Sequence, residues 1–303
     1  MLYICLPVYN TDVTRLANEL LEQSKDSAVE LLIVDDCSTN HFKDINSEFC
    51  QDKDQITYIS LPNNIGRSAI RNYFLGLKSK GHFLFLDGDS IICRSNFIST
   101  YIELIQQKNP DLAYGGSCYQ KNRPSRNFML RWKYSTSRES KSLDFRLKNS
   151  HGFKTNNFLI NIEVFNQYPF NENLKGYGHE DTLLGLQLAA QQIPIAHIDN
   201  PVWNLKLDTN AEFLSKTDSA LKNLLWLADN YPTLRLLEHN RLLQLYLKSK
   251  RHVVFKLLLG LSTSTIPILG NLLKTGYAPL FLFDLYRLLR LQQLNENALH
   301  DLH

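Results

Sequence analysis

The chain has 303 residues, 33 Lys and Arg against 30 Asp and Glu, a net charge of +3, and 44% hydrophobic residues. That length holds one large α/β domain with an appendage or two modest domains, and the composition is that of an ordinary soluble protein. The five cysteines (Cys5, Cys37, Cys50, Cys93 and Cys118) form no C-x-x-C pair, so neither a zinc site nor a disulfide framework is expected, and reduced thiols in a cytosolic protein fit best.

No basic segment precedes the first apolar run, so no signal peptide is expected. The charge is unevenly spread. Residues 119–150 hold nine Lys/Arg against two acids and residues 233–303 hold nine against four, which leaves the rest of the chain at −9.

Tyr3 to Asn10 reads as a first strand ending in a turn. Thr11 or Asp12 can cap a helix with Val13, Leu16, Ala17, Leu20 and Leu21 on one face. Leu31 to Val34 is a second buried strand, and it ends in Asp35-Asp36-Cys37-Ser38-Thr39; Asp36 or Ser38 capping a turn is the plain alternative to a ligand role. Ile56 to Ile59 is a third strand. Asn63-Asn64-Ile65-Gly66 then leads into a helix with Ile70, Phe74 and Leu77 on one face, where Arg67, Arg71 and Asn72 could approach an anion or simply lie exposed.

Phe83-Leu84-Phe85-Leu86 follows, four bulky apolar residues without alternation, as in a strand buried on both faces of a parallel sheet. It stops at Asp87-Gly88-Asp89. Open α/β sheets bind ligands at the carboxyl ends of their strands. Two carboxylates two apart on such a turn can face one point, and these hard oxygen donors suit Mg²⁺ or Mn²⁺ with a diphosphate. An ordinary Asp-Gly turn is the alternative. A helix with Phe97, Tyr101 and Leu104 in register follows, and Leu112 to Cys118 reads as one more strand. The βαβαβαβ alternation predicts a doubly wound, mostly parallel sheet. A Rossmann G-x-G-x-x-G and a P-loop are both missing from the sequence.

The ordered set Pro7-Val8-Tyr9-Asn10, Val34-Asp35-Asp36-Cys37-Ser38, Asn64-Ile65-Gly66 with Arg71-Asn72, and Leu86-Asp87-Gly88-Asp89 resembles the family-2 inverting glycosyltransferases of GT-A fold, bacterial type. The resemblance runs from residue 2 to about residue 225. It implies that Pro7, Tyr9 and Asp36 lie around the base and ribose of a nucleotide-sugar donor, joined on the donor side by Asn64, Arg67, Arg71 and Gly88. It implies that Asp87 and Asp89 form the D-x-D element holding a divalent cation, Mn²⁺ or Mg²⁺. Asn156 and Asn157, in the expected strand Phe153 to Ile160, would lie beside the donor sugar. In Gly176-Tyr177-Gly178-His179-Glu180-Asp181, acids opening a helix could merely complement its dipole. The resemblance instead makes Asp181 the general base and Glu180 its neighbour in acceptor positioning, and the two glycines would let the loop move. Related sequences often carry a histidine as third metal ligand where Asn204 aligns. Asn204 can ligate through its carbonyl oxygen, whereas His197, seven residues earlier on a strand, reads more readily as a hydrogen-bonded core residue than as the ligand. Weaker metal binding, a ligand from elsewhere or an impaired enzyme are the other readings.

Residues 119–150, with Phe128, Trp132, Tyr134 and Phe145 among the basic residues, would shape an acceptor side suited to an anionic or phosphate-bearing saccharide or lipid-linked acceptor; a solvated loop reads equally well. A helix from Ala211 is broken at Tyr231-Pro232, so a GT-A domain over 1–230 and a helical, basic, leucine-rich extension over 231–303 are expected. The extension includes Lys248-Ser249-Lys250-Arg251-His252 and Val253 to Leu259; it contains no run long enough to span a bilayer. It would lie on the inner face of the cell membrane, pack on the catalytic domain or meet a second subunit. No nucleic-acid partner is expected. The resemblance implies an inverting transfer from a nucleotide-diphosphate sugar, most commonly a UDP-sugar, in cell-envelope polysaccharide synthesis. A non-catalytic scaffold of the same fold is the alternative that Asn204 favours. A sugar nucleotidyltransferase is a weaker one, because residues 5–12 contain no glycine.

Overall fold

In the computed structural model of the chain, the described residues are 1–25, 27–148, 152–204, 206–234, 240–249 and 262–300. In chain order the principal elements are β1 (Leu2–Val8), α1 (Thr14–Ser24), β2 (Val29–Asp35), α2 (Asn40–Cys50), β3 (Ile56–Ser60), α3 (Arg67–Tyr73), β4 (His82–Leu86), β5 (Ser90–Ile92), α4 (Phe97–Lys108), β6 (Leu112–Tyr114) and β7 (Ser117–Tyr119). Then come α5 (Met129–Tyr134), α6 (Leu143–Lys148), β8 (Asn157–Asn161), α7 (Ile162–Gln167), α8 (Glu180–Ala190), β9 (Ile195–His197), β10 (Val202–Asn204), α9 (Asn210–Asn230), α10 (Arg241–Ser249), α11 (Ser262–Lys274) and α12 (Leu280–His300).

The chain divides into two compact units: Met1–Gln120, Glu139–Asn173 and Glu180–Lys206 form one, and Lys121–Arg138, Leu174–His179 and Leu207–His303 form the other. This division differs from a cut at residue 231, because α9 groups with the later helices and residues 119–150 are shared out between the units.

The first unit is built on a seven-stranded sheet of order β3-β2-β1-β4-β8-β6-β9. β1 to β4 run parallel; β8 is antiparallel to both β4 and β6, and β9 is parallel to β6. Alternate residues of each central strand enter two different cores. Ile4, Leu6, Leu84 and Leu86 pack with Leu16, Leu20, Phe97 and Tyr101 of α1 and α4. Cys5, Leu32, Phe83 and Phe85 pack on the other face with Ile70, Phe165 and Leu184. Burial on both faces is why these strands read as unbroken apolar runs.

A second sheet, β5-β10-β7, follows the strand ends. The expected strand 112–118 is in fact β6 and β7, split at Gly115-Gly116. Gly116 has φ +98°, and a Cβ on Gly115 would overlap the Tyr101 hydroxyl, the Asn157 amide and the Asn200 carbonyl. The expected strand 153–160 is shorter, beginning only at Asn157. Helix α2 is absent from the sequence reading, although Phe42, Ile45 and Phe49 have helical spacing.

The second unit is helical. Leu130, Phe213, Leu214, Ile266, Leu269, Leu273, Phe283, Tyr286 and Leu289 form its core. α9 starts with a capping box in which Thr209 and Glu212 satisfy each other's backbone N–H groups. The stretch read as a solvated basic loop contributes α5 here, and Arg138 forms a two-pronged ion pair with Asp284 at 2.6 Å on each arm. The loop before α8 is also fixed within this unit. Asn223 Nδ2 donates to the carbonyls of Lys175 and Gly178, and Ser219 Oγ accepts from the Tyr177 N–H. Gly176 and Gly178 have φ +72° and +97°, and a Cβ on either would overlap Ser219 or Ala220 of α9. These glycines permit close packing on α9. Part of the basic stretch after Lys248, and the apolar run Val253 to Leu259, lie outside the described residues. Among the described residues no helix is long and apolar enough to cross a membrane.

Candidate active site

The candidate site lies within the first unit, at the carboxyl ends of β1, β2 and β4. The β1 end is tied to the β2 end. Asn10 N–H donates to Ser38 Oγ at 2.8 Å, Asn10 Oδ1 accepts from the Thr39 N–H at 2.8 Å, and the Asp36 N–H donates to the Val8 carbonyl. Pro7 is partly buried in β1, and Tyr9 stands 54% exposed beside this knot, free to stack on a flat ring. The two acids there differ. Asp35 is fully buried, accepting from the Ser38 N–H and the Tyr58 hydroxyl. Asp36 accepts the N–H groups of Ile65 and Gly66, one on each carboxylate oxygen, at 2.7 and 3.0 Å, while Asn64 Nδ2 donates to its carbonyl. Asp36 and Asn64 thus hold the loop that launches α3, where Gly66 takes φ +88°.

The α3 arginines are engaged with carboxylates of the chain itself. Arg67 Nε donates to Glu180 Oε1 at 2.9 Å and Arg71 Nη2 to Asp87 Oδ1 at 2.9 Å. Arg71 is 2% exposed, and burial lowers its pKa, with Arg67 adding to that and Asp87, Glu180 and Asp181 opposing it. Burial alone would raise the Glu180 carboxyl, but Arg67 and Arg71 outweigh it and bring it down to about 2. Asp87 and Glu180, named from two separate stretches of sequence, are therefore held by two arginines of the same helix, one turn apart.

The Asp87-Gly88-Asp89 turn is closed by Ser90 N–H donating to the Asp87 carbonyl, and Asp87 N–H reaches the Asn156 carbonyl at 3.4 Å. A side chain on Gly88 would overlap Val13 at 2.9 Å, which explains the glycine. Antiparallel pairing of β5 with β10 sets Asn204 opposite Ser90. Asn156 Nδ2 donates to Asn204 Oδ1 at 3.2 Å, leaving Asn156 Oδ1, Asn204 Nδ2 and Ser90 Oγ buried without a partner. Turning both amides over keeps the hydrogen bond and opens Asn204 Oδ1 instead.

Orphaned buried polar atoms beside two carboxylates fit a hard divalent cation held by Asp87, Asp89 and Asn204, all oxygen donors. Among the described residues no three His, Cys, Asp or Glu side chains form such a group without an amide.

His197 and Asn157 are both tied into the fold. His197 pairs with Tyr114 at the β6–β9 edge, and its Nδ1 lies 3.4 Å from Arg146, a cation. That is the environment of a hydrogen-bonded core histidine, and of the two candidate third ligands Asn204 is the one beside the turn. Asn157 is fully buried: its Oδ1 accepts from the Tyr101 hydroxyl and its Nδ2 donates to the carbonyls of Gly116 and Asn200. It ties the sheet ends together, with both amide N–H groups already engaged.

Asp181 is reached by a residue that no sequence motif marks. Lys154 Nζ lies 3.2 Å from Asp181 Oδ2, while Asp181 Oδ1 accepts from the Thr182 N–H at 2.7 Å. Lys154 precedes β8, which begins at Asn157, so strand alternation does not mark it, and its approach to Asp181 spans 27 residues of sequence. Arg146, also unmarked, is buried and donates to the carbonyls of Tyr114, Gly115 and Ile198.

The sequence profile described as Glycosyl transferase family 2 matches residues 3–169. Glycosyltransferase GlyG of Streptococcus pneumoniae serotype 4 is 23% identical over 208 residues, covering 64% of this chain and 67% of GlyG. Among solved structures, the mannosyltransferase PcManGT from Pyrobaculum calidifontis, in complex with GDP-Man and Mn²⁺, is similar with a TM-score of 0.57 at 13% identity, over 98% of this chain and 86% of that one. Glucosyl-3-phosphoglycerate synthase from Mycobacterium tuberculosis, in complex with Mn²⁺, UDP and phosphoglyceric acid, gives 0.52 at 17% identity, over 75% of this chain and 78% of that one. The mostly parallel sheet flanked by helices is thus the GT-A fold, with a helical C-terminal part. The profile spans β1 through the Asp87-Gly88-Asp89 turn to α7, more than half the chain, and so the chain belongs to glycosyl transferase family 2.

Proposed function

We propose that the protein moves a sugar from a nucleotide-diphosphate sugar, a UDP-sugar by preference, to a saccharide or lipid-linked acceptor by a single inverting displacement. The reading draws on one observation above others: two hydrogen-bonded arginines of α3 hold carboxylates from the two stretches, Arg71 that of Asp87 and Arg67 that of Glu180, the neighbour of Asp181, so the carboxylates needed at the two ends of such a reaction lie near one helix. Tyr9 would cover the base, and Pro7, Asp36 and Asn64 would shape the pocket beneath it. Asp87, Asp89 and Asn204 would hold a divalent cation, which offsets the charge gathering on the diphosphate leaving group. Asn156, hydrogen-bonded to Asn204, would lie beside the sugar.

At the other end the acceptor hydroxyl must lose its proton as it attacks. Asp181 is the base, taking that proton on Oδ2 once Lys154 yields its place. Glu180 stays ionised against Arg67 and orients the acceptor. Lys154, half-exposed at 52% beside the base, would receive an anionic group on the acceptor, in keeping with a phosphate-bearing glycan of the cell envelope. The reading is tested with Asp181→Asn, which keeps the size and the hydrogen bond from the Thr182 N–H and gives up the carboxylate oxygen facing Lys154. Transfer should fall at least about a hundredfold while donor affinity is retained; transfer at the wild-type rate would remove Asp181 from the role.

A further inference from the structure

The helical unit carries a surface that the catalytic reading does not use. Helix α11 turns Ile266, Leu269 and Leu273 into the core of the unit and leaves Ile268 and Leu272 outside, 67% and 42% exposed. The two outer residues are one turn apart on one face. Tyr277, in the turn to α12, is 62% exposed, and Phe281, in the first turn of α12, is 66% exposed. Gly270 faces the Tyr286 ring, so the two helices fold back as a hairpin and these side chains gather toward its tip.

The tip is ordered. Lys133 donates to the carbonyls of Gly276, Tyr277 and Ala278 at 3.0 to 3.3 Å, and the Arg126 guanidinium lies 4.5 Å over the Tyr277 ring. From Ser262 to Phe283 the sequence has Lys274 and no acid, and the sequence of the unit as a whole has 18 Lys and Arg against 8 Asp and Glu. Apolar side chains standing singly on a basic, acid-free surface do not suit a second copy of the chain, because an isologous contact would set these cations against themselves. They suit an anionic lipid surface, whose headgroup region accepts Tyr, Phe and Ile side chains without a matching shape and whose phosphates attract Lys and Arg.

We propose that the tip of the α11–α12 hairpin docks on the surface of an anionic bilayer, with Ile268, Leu272, Tyr277 and Phe281 entering the headgroup region and Arg126 and Lys274 meeting lipid phosphates. The attachment is peripheral and independent of the transfer reaction. It is tested by sedimenting the full chain with vesicles of phosphatidylcholine alone and of phosphatidylcholine mixed with phosphatidylglycerol, beside a double variant, Ile268→Ser with Phe281→Ser. Both residues are exposed, so an unchanged unfolding midpoint checks the fold of the variant. The expected result is binding to the anionic vesicles only, weakened by added salt, and lowered about tenfold or more in the variant. Equal binding by the variant, no binding to anionic vesicles at low salt, or a dimer that the variant abolishes without any vesicle binding would each overturn the proposal.

Discussion

Arg71 is buried beside Asp87, with its Nη2 on Asp87 Oδ1 and its Nη1 on the Arg67 carbonyl. Buried cations are costly unless opposed, and this one is opposed by Asp87 directly and by Glu180 and Asp181 through the field. Glu180 gains most visibly, its carboxyl held at about 2 against an ordinary 4.5. A lowered folded-state value means that its contribution to stability is complete above pH 4.5 and is lost as the pH falls toward about 2. Removing the hydrogen-bonded partner with Arg67→Met should therefore raise the Glu180 carboxyl. Acid unfolding of the variant should begin at higher pH, with a loss of roughly 1–3 kcal/mol at neutral pH. Circular dichroism followed against pH checks this, and coincident acid limbs would show that Glu180 does not rely on Arg67.

At the scale of elements, glycine geometry gives a graded test. Gly66 and Gly178 both have positive φ, but a Cβ on Gly66 meets nothing within 4 Å while one on Gly178 meets Ala220 at 2.8 Å. Gly66, with ψ 171°, lies in a region that essentially only glycine occupies, so Gly66→Ala should cost about 1–3 kcal/mol from backbone strain alone. Gly178→Ala should cost more, and Ala220→Gly in the same chain should recover part of the excess. Chemical denaturation of the three variants reads the difference; equal losses would contradict the close packing of this loop on α9. The same elements show what the sequence could reveal. Phe83 to Leu86 was legible because both faces of β4 are buried, and the Asp87 turn because apolar residues stop there. The hydrogen bonding of Asn157 was not legible, since its partners Tyr101, Gly116 and Asn200 lie far from it in sequence. Nor was the engagement of Arg67 with Glu180, which spans 113 residues of sequence.

At the scale of the molecule, the sheet unit is acidic and the helical unit basic, although the basic stretch 119–150 is divided between them. The order of strands was only partly legible, because the antiparallel β8 between β4 and β6 depends on long-range pairing that local patterns do not encode. Carboxylates at the β4 end that hold a cation for a nucleotide-sugar, as proposed, would show in the unfolding midpoint of the full chain with UDP-, GDP-, TDP- and CMP-sugars, each with Mn²⁺, with Mg²⁺ and with chelator, repeated for Asp89→Asn and Asp181→Asn. One nucleotide class should raise the midpoint only with metal, Asp89→Asn should lose the rise, and Asp181→Asn should keep it. A rise that survives both chelator and Asp89→Asn, or none with any donor, would contradict the proposal.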